Sequence, residues 1–200
     1  MAYRELLETE LRTVQIDIPG DRLVKLARYC EEIERWNKRM NLTALSGRAL
    51  VQRLVVEPVW IARQLDIKGD VVDIGSGNGS PAIPLAISCA LSSIQMVESR
   101  LRRVAFLRHL VATLEVPVGR VYRGRFEEVA ATLVAPDWVT LQGVALTEEL
   151  LETIRGIRKR ETRLVWITAG GVTRPPGVKY FGFRTPLTGS EILVGAMDQS

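Results

Sequence analysis

The pattern of apolar and polar positions changes character about one third of the way along the chain. Between residues 21 and 40, apolar side chains recur at steps of three and four, which predicts an amphipathic helix. A further helix is expected after Ser46, with a break or restart near Pro58. After residue 69, short β-branched runs alternate with helical patterns; the runs cover 71–74, 94–97, 116–122, 138–141 and 163–168. This alternation is typical of a parallel sheet covered by helices on both faces.

The last two predicted strands follow a different rule. The runs at 178–183 and 191–196 are joined by only seven residues, which is too short for a crossover helix, so the two strands are expected to form an antiparallel hairpin. The sequence therefore predicts an α/β, Rossmann-like fold, with a seven-stranded, mostly parallel sheet and a C-terminal antiparallel hairpin. We divide the chain into an N-terminal helical cap, 1–66, and a core, 67–200.

Composition narrows the classes of protein further. The chain has 46% hydrophobic and 25% charged residues, as in soluble globular proteins, and a net charge of +4. Two distant cysteines, Cys30 and Cys89, and one histidine, His109, do not supply the spacing of a Cys/His metal site, so no metal is expected. The uncharged stretch 74–97 is interrupted by glycines and prolines, which argues against a membrane span. We expect a cytoplasmic protein without a membrane or metal partner.

The sharpest chemical signal lies at the end of the first predicted strand. The sequence VVDIGSGNG at 71–79 runs from a buried strand into a glycine-rich turn that precedes a helix, and Glu98 ends the next strand 23 residues beyond Gly75. Glycines let the backbone approach a ligand closely, and a carboxylate at that distance can accept hydrogen bonds from ribose hydroxyls. The sequence therefore predicts a nucleoside-containing ligand on Gly75, Gly77, Gly79 and Glu98.

The spacing of the glycines separates two candidate ligands. Dinucleotide sites use GxGxxG, whereas this chain has GxGxG with Asp73 two residues before the first glycine. The Asp73 carboxylate would repel a pyrophosphate but attract the amino group of S-adenosylmethionine (SAM). SAM is the predicted cofactor. A nicotinamide-dependent oxidoreductase stays open as an alternative.

Four segments carry a resemblance to a known family. They are RWNKRMNLT at 35–43, DIGSGNGSPAIPLAI at 73–87, ESRLRRVAFL at 98–107 and RFEE at 125–128. With them the chain resembles the class I SAM-dependent methyltransferases, and within these the bacterial small-subunit ribosomal RNA guanine-N7 methyltransferases, also called the glucose-inhibited division protein B family. The resemblance implies a class I methyltransferase fold and methyl transfer to N7 of a guanine in 16S rRNA of the small ribosomal subunit. It also implies that Gly75, Ser80, Phe126 and Glu127 contact the cofactor, the last two around the adenine.

The chain departs from the family on the substrate side. Residues 52–57 read QRLVVE where the family has Arg-His-x-x-Asp-Ser, and Gln142 stands where the family has an arginine. A lysine usual at the end of the fifth strand is missing from 168–171. These departures leave a second hypothesis open, namely a relative that binds SAM but has a changed acceptor or a non-catalytic role.

Candidate substrate residues come from the cap and from the basic stretches. No general base is expected, since N7 of guanine carries a free lone pair; Gln142 and Asn37 are candidates for positioning the substrate. Asn37 and Asn41 share one helix face and would point their amides into the pocket or bond the neighbouring loop. Residues 100–125 hold seven arginines against one acid, and 154–184 hold eight basic residues against one, as in an RNA-binding surface. The RNA-contact candidates are Trp36, Lys38, Arg39, Asn41, Arg100 and Arg103.

Overall fold

The structure, a computed structural model, describes residues 2–196. Four helices come first: α1 (Ala2–Thr13), α2 (Gly20–Met40), α3 (Gly47–Val51) and α4 (Glu57–Leu65). Strands and helices then alternate: β1 (Gly69–Ile74), α5 (Ala82–Ser88), β2 (Leu91–Glu98), α6 (Leu101–Thr113), β3 (Gly119–Arg123), α7 (Phe126–Val129), β4 (Trp138–Gln142), α8 (Glu148–Ile157) and β5 (Arg163–Thr168). The strands β6 (Lys179–Arg184) and β7 (Glu191–Ala196) are the last elements of the described residues.

The seven strands form one sheet in the order β3-β2-β1-β4-β5-β7-β6. Strands β1 to β5 pair in parallel, and β7 is antiparallel to both β5 and β6. The predicted mostly parallel sheet with an antiparallel C-terminal hairpin is therefore confirmed. The sequence did not indicate that β7 lies between β5 and β6, so that β6 is the edge strand.

Helices cover both faces of the sheet, and the cap covers one of them. Alternate residues of β1 belong to two different cores: Val71 belongs to the core that includes cap residues such as Tyr29, whereas Val72 belongs to the core that includes residues of α8 such as Leu151. Because cap and sheet share one hydrophobic core, α2 is held close to the loop that follows β1. The Tyr29 hydroxyl donates a hydrogen bond to the backbone oxygen of Asn78 in that loop, at 3.2 Å.

The structure does not contain the predicted break of the helix near Pro58. Residues 47–65 form a continuous helical segment, with a π-helical turn at Gln52–Val56 that joins α3 to α4. The amide of Glu57 donates to the oxygen of Gln52, five residues back, instead of four. A proline cannot donate and crowds the preceding turn, and the wider turn before Pro58 lets the segment continue. Ser46 precedes α3 as predicted, but its side chain makes no capping hydrogen bond.

Strand β3 begins three residues later than predicted. Residues 116–118 belong to the turn after α6, in which the amide of Val116 bonds the oxygen of Val111 and the amide of Gly119 bonds the oxygen of Val116. Val116 is buried, so its apolar character reflects core packing and not a strand. Among residues 2–196, no helix has the length and apolar character needed to cross a membrane.

Candidate cofactor cleft

The glycine loop after β1 bends toward the neighbouring strand β2. The amides of Gly75 and Ser76 both donate to the oxygen of Val97, at 2.9 and 3.1 Å. Gly75 has a φ of +72°, and a Cβ at this position would lie 2.6 Å from Cγ2 of Val144. A side chain at position 75 is therefore excluded both by the backbone conformation and by the loop after β4. The glycine keeps these two loops in contact.

Glu98, at the carboxyl end of β2, ties this loop in place. Its Oε2 accepts from the amide of Gly77 at 3.1 Å, and its Oε1 accepts from the amide of Arg100 at 2.8 Å. A guanidinium nitrogen of Arg103 lies 3.9 Å from Oε2. A carboxylate offers about four acceptor sites, so Glu98 keeps the capacity to accept hydroxyl donors from a ligand.

Asp73 lies beneath the loop, in the interior. It is 1% exposed; its Oδ1 accepts from the hydroxyl of Thr140 at 2.6 Å, and its Oδ2 has no partner among the described residues. Burial raises the pKa of Asp73 to about 6; hydrogen bonds from the side chains of Ser76 and Thr140 oppose the increase, and the nearby charge of Glu98 adds to it. At neutral pH this site holds a buried negative charge that is only partly compensated, and a cationic ligand would stabilise it.

A cavity of about 300 Å³ opens above the carboxyl ends of β1, β2 and β4. It is lined by Leu42, Gly75, Ser76, Gly77, Asn78, Ser80, Glu98, Ser99, Arg100, Arg103, Gln142, Gly143 and Val144. We call it the cofactor cleft. Crevices at this edge of open α/β sheets bind ligands in general. Two side-chain oxygens of its lining, Ser80 Oγ and Gln142 Oε1, are buried and have no partner within residues 2–196, so the cleft offers polar groups to a ligand.

The residues predicted to contact the cofactor fall into two groups. Gly75, Gly77, Ser80 and Glu98 line the cleft, whereas Asp73, two residues before Gly75, is not among the lining residues. Gly79 faces the protein instead, because a Cβ there would lie 3.0 Å from Ile83, 3.2 Å from Leu110 and 3.4 Å from Tyr29. Its role in the structure is close packing of the loop against α5, α6 and the cap helix α2.

Phe126 and Glu127 do not line the cleft. Phe126 is buried in the core on the α8 side of the sheet, and Glu127 is exposed. They follow the end of β3, next to Glu98: the amide of Gly124 donates to the backbone oxygen of Glu98 at 3.2 Å. Their predicted contact with the adenine stays a prediction.

The predicted substrate residues are likewise divided. Gln142, Arg100 and Arg103 line the cofactor cleft. Trp36 is half-buried and packs against Phe106 and His109, with ring centroids 5.5 and 5.3 Å away. Three further candidates are exposed at the end of α2: Lys38, Arg39 and Asn41.

Asn37 bonds the neighbouring loop, one of the two alternatives that its position in the sequence left open. Its Oδ1 accepts from the amides of Leu42 and Thr43, at 2.6 and 3.0 Å, and its Nδ2 donates to the oxygen of Thr43 at 2.7 Å. Leu42 is part of the cleft wall. Asn37 thus holds one wall of the cofactor cleft.

Sequence reasoning missed several residues of this region. Leu42 and Val144 form walls of the cleft, and Thr140 binds the Asp73 carboxylate. The register of β1 and β4 places Thr140 beside Asp73, and a hydroxyl in an otherwise apolar central strand was the available signal. The described residues hold no cluster of three or more His, Cys, Asp or Glu side chains arranged to bind a metal ion.

The fold and the cleft together define a class I methyltransferase. Two solved structures share the fold: a proposed O-methyltransferase from Klebsiella pneumoniae (TM-score 0.64, 11% identity, 98% of each chain covered) and precorrin-6y C5,15-methyltransferase from Geobacter metallireducens GS-15 (TM-score 0.53, 13% identity, 77% of this chain and 90% of that one). At these identities the likeness concerns the fold alone.

The particular family follows from the sequence. Residues 22–170 match the GidB family, rRNA small subunit methyltransferase G, and the chain belongs to this family. The resemblance inferred from the motifs is thereby confirmed. Proteins described as ribosomal RNA small subunit methyltransferase G are similar to it in Chloroflexus aggregans (33% identity over 142 residues, 68% of this chain) and Wolinella succinogenes (31% over 160 residues, 80% of this chain). The matched region spans 60% of the Chloroflexus protein and 82% of the Wolinella protein.

Proposed function

We propose that this protein transfers the methyl group of SAM to N7 of a guanine in the 16S rRNA of the small ribosomal subunit. The observation that carries the proposal is the cofactor cleft, with Glu98 beside the glycine loop, in a chain of the GidB family. The partner in this proposal is the small ribosomal subunit, and the place of action is the cytoplasm.

The donor groups of the cleft fit SAM. Glu98 would hold the ribose hydroxyls, and the Asp73 charge would favour the cationic amino and sulfonium groups. The unpartnered hydroxyl of Ser80 would bond the amino-acid end. When bound, SAM supplies an electrophilic methyl group.

Methyl transfer to N7 of guanine requires no general base, which agrees with the residues that line the cleft. Among the described residues that line the cleft there is no histidine, cysteine or lysine. N7 of guanine has a lone pair in the neutral base, so no proton is removed before the attack and no general base is needed. The protein would act by alignment, which can supply about 7–11 kcal/mol of a reaction barrier. Gln142 is the neutral donor and acceptor best placed to hold an edge of the base.

A methyl-transfer assay tests the proposal. Purified protein is incubated with SAM labelled in the methyl group and with small subunits from a strain that lacks this modification. We expect label in 16S rRNA, and strand scission at 7-methylguanosine by reduction and aniline treatment should give one site. Glu98→Gln is the matched control and should incorporate far less label. Absence of label with the wild-type protein, while an authentic methyltransferase labels the same subunits, would contradict the proposal.

Gln142 favours a second candidate function. A neutral side chain with an unpartnered oxygen lies in the cleft where the family has an arginine. Under this alternative, the protein binds SAM but has a changed acceptor or a non-catalytic role. The variant Gln142→Arg distinguishes the two candidate functions. If the protein is an active methyltransferase in which glutamine takes the place of the family arginine, the variant should have an altered rate of rRNA methylation. A non-catalytic relative stays inactive with or without the arginine.

A further inference from the structure

A second cavity adjoins the cofactor cleft. Its volume is about 510 Å³, and it shares two wall residues, Gly143 and Val144, with the cleft. The other walls come from the π-helical turn and from the segments after β4 and β5: Arg53, Ala145, Leu146, Trp166, Ile167, Thr168, Ala169, Val172 and Thr173. A molecule in this second cavity therefore lies next to the occupant of the cleft.

Most of the walls of the second cavity are apolar, and one is a fixed aromatic ring. The indole nitrogen of Trp166 donates to the oxygen of Val144 at 3.0 Å, which fixes the ring and the shared loop relative to each other. Apolar and aromatic walls with a few polar groups are typical of sites for flat organic molecules, including unstacked bases. Among the described residues that line the second cavity, Arg53 alone is charged.

Arg53 is held from one side by a buried acid. Its Nη1 lies 3.5 Å from Oε2 of Glu57, whose side chain is 0% exposed, and it also bonds the hydroxyl of Ser190. The same Glu57 oxygen accepts from the hydroxyl of Thr185 at 3.1 Å. All hydrogen bonds of Arg53 within residues 2–196 come from Nη1, whereas a guanidinium has five N–H donors. The donors on Nε and Nη2 are thus open to a ligand.

The charge of Arg53 suits an anion beside the base better than the base itself. Attack by N7 makes the purine ring cationic, so an arginine on that edge would oppose the reaction. A backbone phosphate is the permanent anion next to an acceptor nucleotide, and a guanidinium binds phosphate strongly, with two parallel hydrogen bonds. The π-helical turn at Gln52–Val56, a feature frequent at functional sites, carries this arginine.

We propose that the second cavity receives the acceptor nucleotide and that Arg53 binds an RNA phosphate beside it. The assignment rests on the proposed rRNA methyltransferase function and deepens it. In this chain Arg53 then supplies positive charge on the substrate side, while Gln142 in the adjoining cofactor cleft is neutral. Glu57 and Ser190 are positioning residues, because they act through Arg53.

The salt dependence of binding tests the assignment. Small subunits lacking the modification are the probe, and their Kd is measured by filter binding from 50 to 200 mM KCl at constant magnesium. Loss of one phosphate contact lowers the slope of log K against log[salt] by about 0.7–0.9, so the affinity defect of Arg53→Gln should shrink about threefold across this range. Arg53→Lys should keep most of the slope, and Arg63→Gln, an exposed arginine of α4 that lines neither cavity, should leave it unchanged.

An altered fold is separated from a lost contact in two ways. SAM affinity, measured by calorimetry, should be the same for Arg53→Gln and wild type. Arg53→Gln leaves the buried carboxylate of Glu57 without its cationic partner, and this variant could fail to fold for that reason. In that case the double variant Arg53→Gln/Glu57→Gln is measured instead. The same decrease in the salt-dependence slope is expected for it. A wild-type slope in the folded neutral variant, single or double, overturns the assignment of Arg53 even if affinity falls.

Failure of the proposed function has a different signature. Wild-type protein that methylates small subunits, with a slope insensitive to Arg53→Gln, overturns the assignment of Arg53 alone. Wild-type protein that does not methylate them overturns the proposed function.

Discussion

Thr140 donates a hydrogen bond from its Oγ1 to Oδ1 of Asp73, at 2.6 Å, across two neighbouring parallel strands. Both residues are 1% exposed. Oδ2 of Asp73 has no partner within residues 2–196, and hydrogen bonds from the side chains of Ser76 and Thr140 both favour the charged form of the carboxylate. The charge beneath the cofactor cleft therefore depends on a threonine of β4.

Replacing Thr140 by valine should destabilise the protein more at neutral pH than at acid pH. A hydrogen bond to a charged group contributes about 1.5–3 kcal/mol, and one to a neutral group about 1 kcal/mol. Urea denaturation at pH 7 and pH 4.5 measures the difference. Thr162→Val is the matched control: Thr162 is equally buried but donates to the neutral backbone oxygen of Pro136, so its cost should be the same at both pH values. Equal pH dependence of the two variants would contradict the assigned charge.

The stability of the protein should decrease as the pH rises through the titration of Asp73. Its pKa is about 6 in the folded state against an ordinary value of 3.8 for an aspartate side chain, so between these values the folded protein holds a proton that the unfolded chain has lost. At about 1.4 kcal/mol per pKa unit, wild type should lose about 2 kcal/mol relative to Asp73→Asn between pH 4 and pH 7. Urea denaturation over this range provides the test; parallel profiles would show that Asp73 has an ordinary pKa.

Gly75→Ala should open the contact between the two loops that frame the cleft. A left-handed backbone costs a non-glycine residue about 1–2 kcal/mol, and crowding Val144 adds about 1–3 kcal/mol. Gly143→Ala is the matched control, since Gly143 has a similar φ of +68° but no atom within 4 Å of the added Cβ. Thermal unfolding of both variants is compared with that of Gly75→Ala/Val144→Ala. We expect the double variant to recover the crowding part, and no recovery would contradict the assigned clash.

Asn37→Ala should weaken SAM binding without any contact between Asn37 and SAM. The change removes three hydrogen bonds to the loop that carries Leu42, and with them about 1–3 kcal/mol of stability. We expect a severalfold higher Kd for SAM by calorimetry because one wall of the cleft is loosened. Lys38→Ala, an exposed neighbour, is the control and should bind SAM like wild type. An unchanged Kd for SAM in folded Asn37→Ala would contradict the claim that the loop held by Asn37 supports SAM binding.

Local patterns predicted the part of the site that is built from consecutive residues. The apolar run of β1, the glycines after it and Glu98 at the end of β2 are linked by short-range geometry: parallel neighbouring strands bring their carboxyl ends together. The hairpin was predictable for the same reason, since a seven-residue connection admits no crossover. The parallel pairing of β1 with β2 and the C-terminal hairpin, which are features of the fold, were confirmed.

Contacts between distant segments were not predictable in this way. Arg53 and Ser190 are 137 positions apart, and no periodicity links the π-helical turn to the turn between β6 and β7. The insertion of β7 between β5 and β6 also has no local signal, because the apolar residue pattern of a buried strand is the same whichever strand it pairs with. Gly79 is an example of the opposite kind. The glycine motif predicted a contact with the ligand, whereas in the structure Gly79 packs against the distant residues Ile83, Leu110 and Tyr29.

Calorimetric titration with SAM tests the central claim, that the cleft beside Gly77 binds this cofactor. Wild type should bind one SAM per chain, and Glu98→Gln should bind it about 10- to 100-fold more weakly, as expected for the loss of a charge-assisted hydrogen bond of about 1.5–3 kcal/mol. Glu161→Ala, an exposed acid outside the cleft, should bind like wild type. No binding by wild type, or equal binding by Glu98→Gln, would contradict the account.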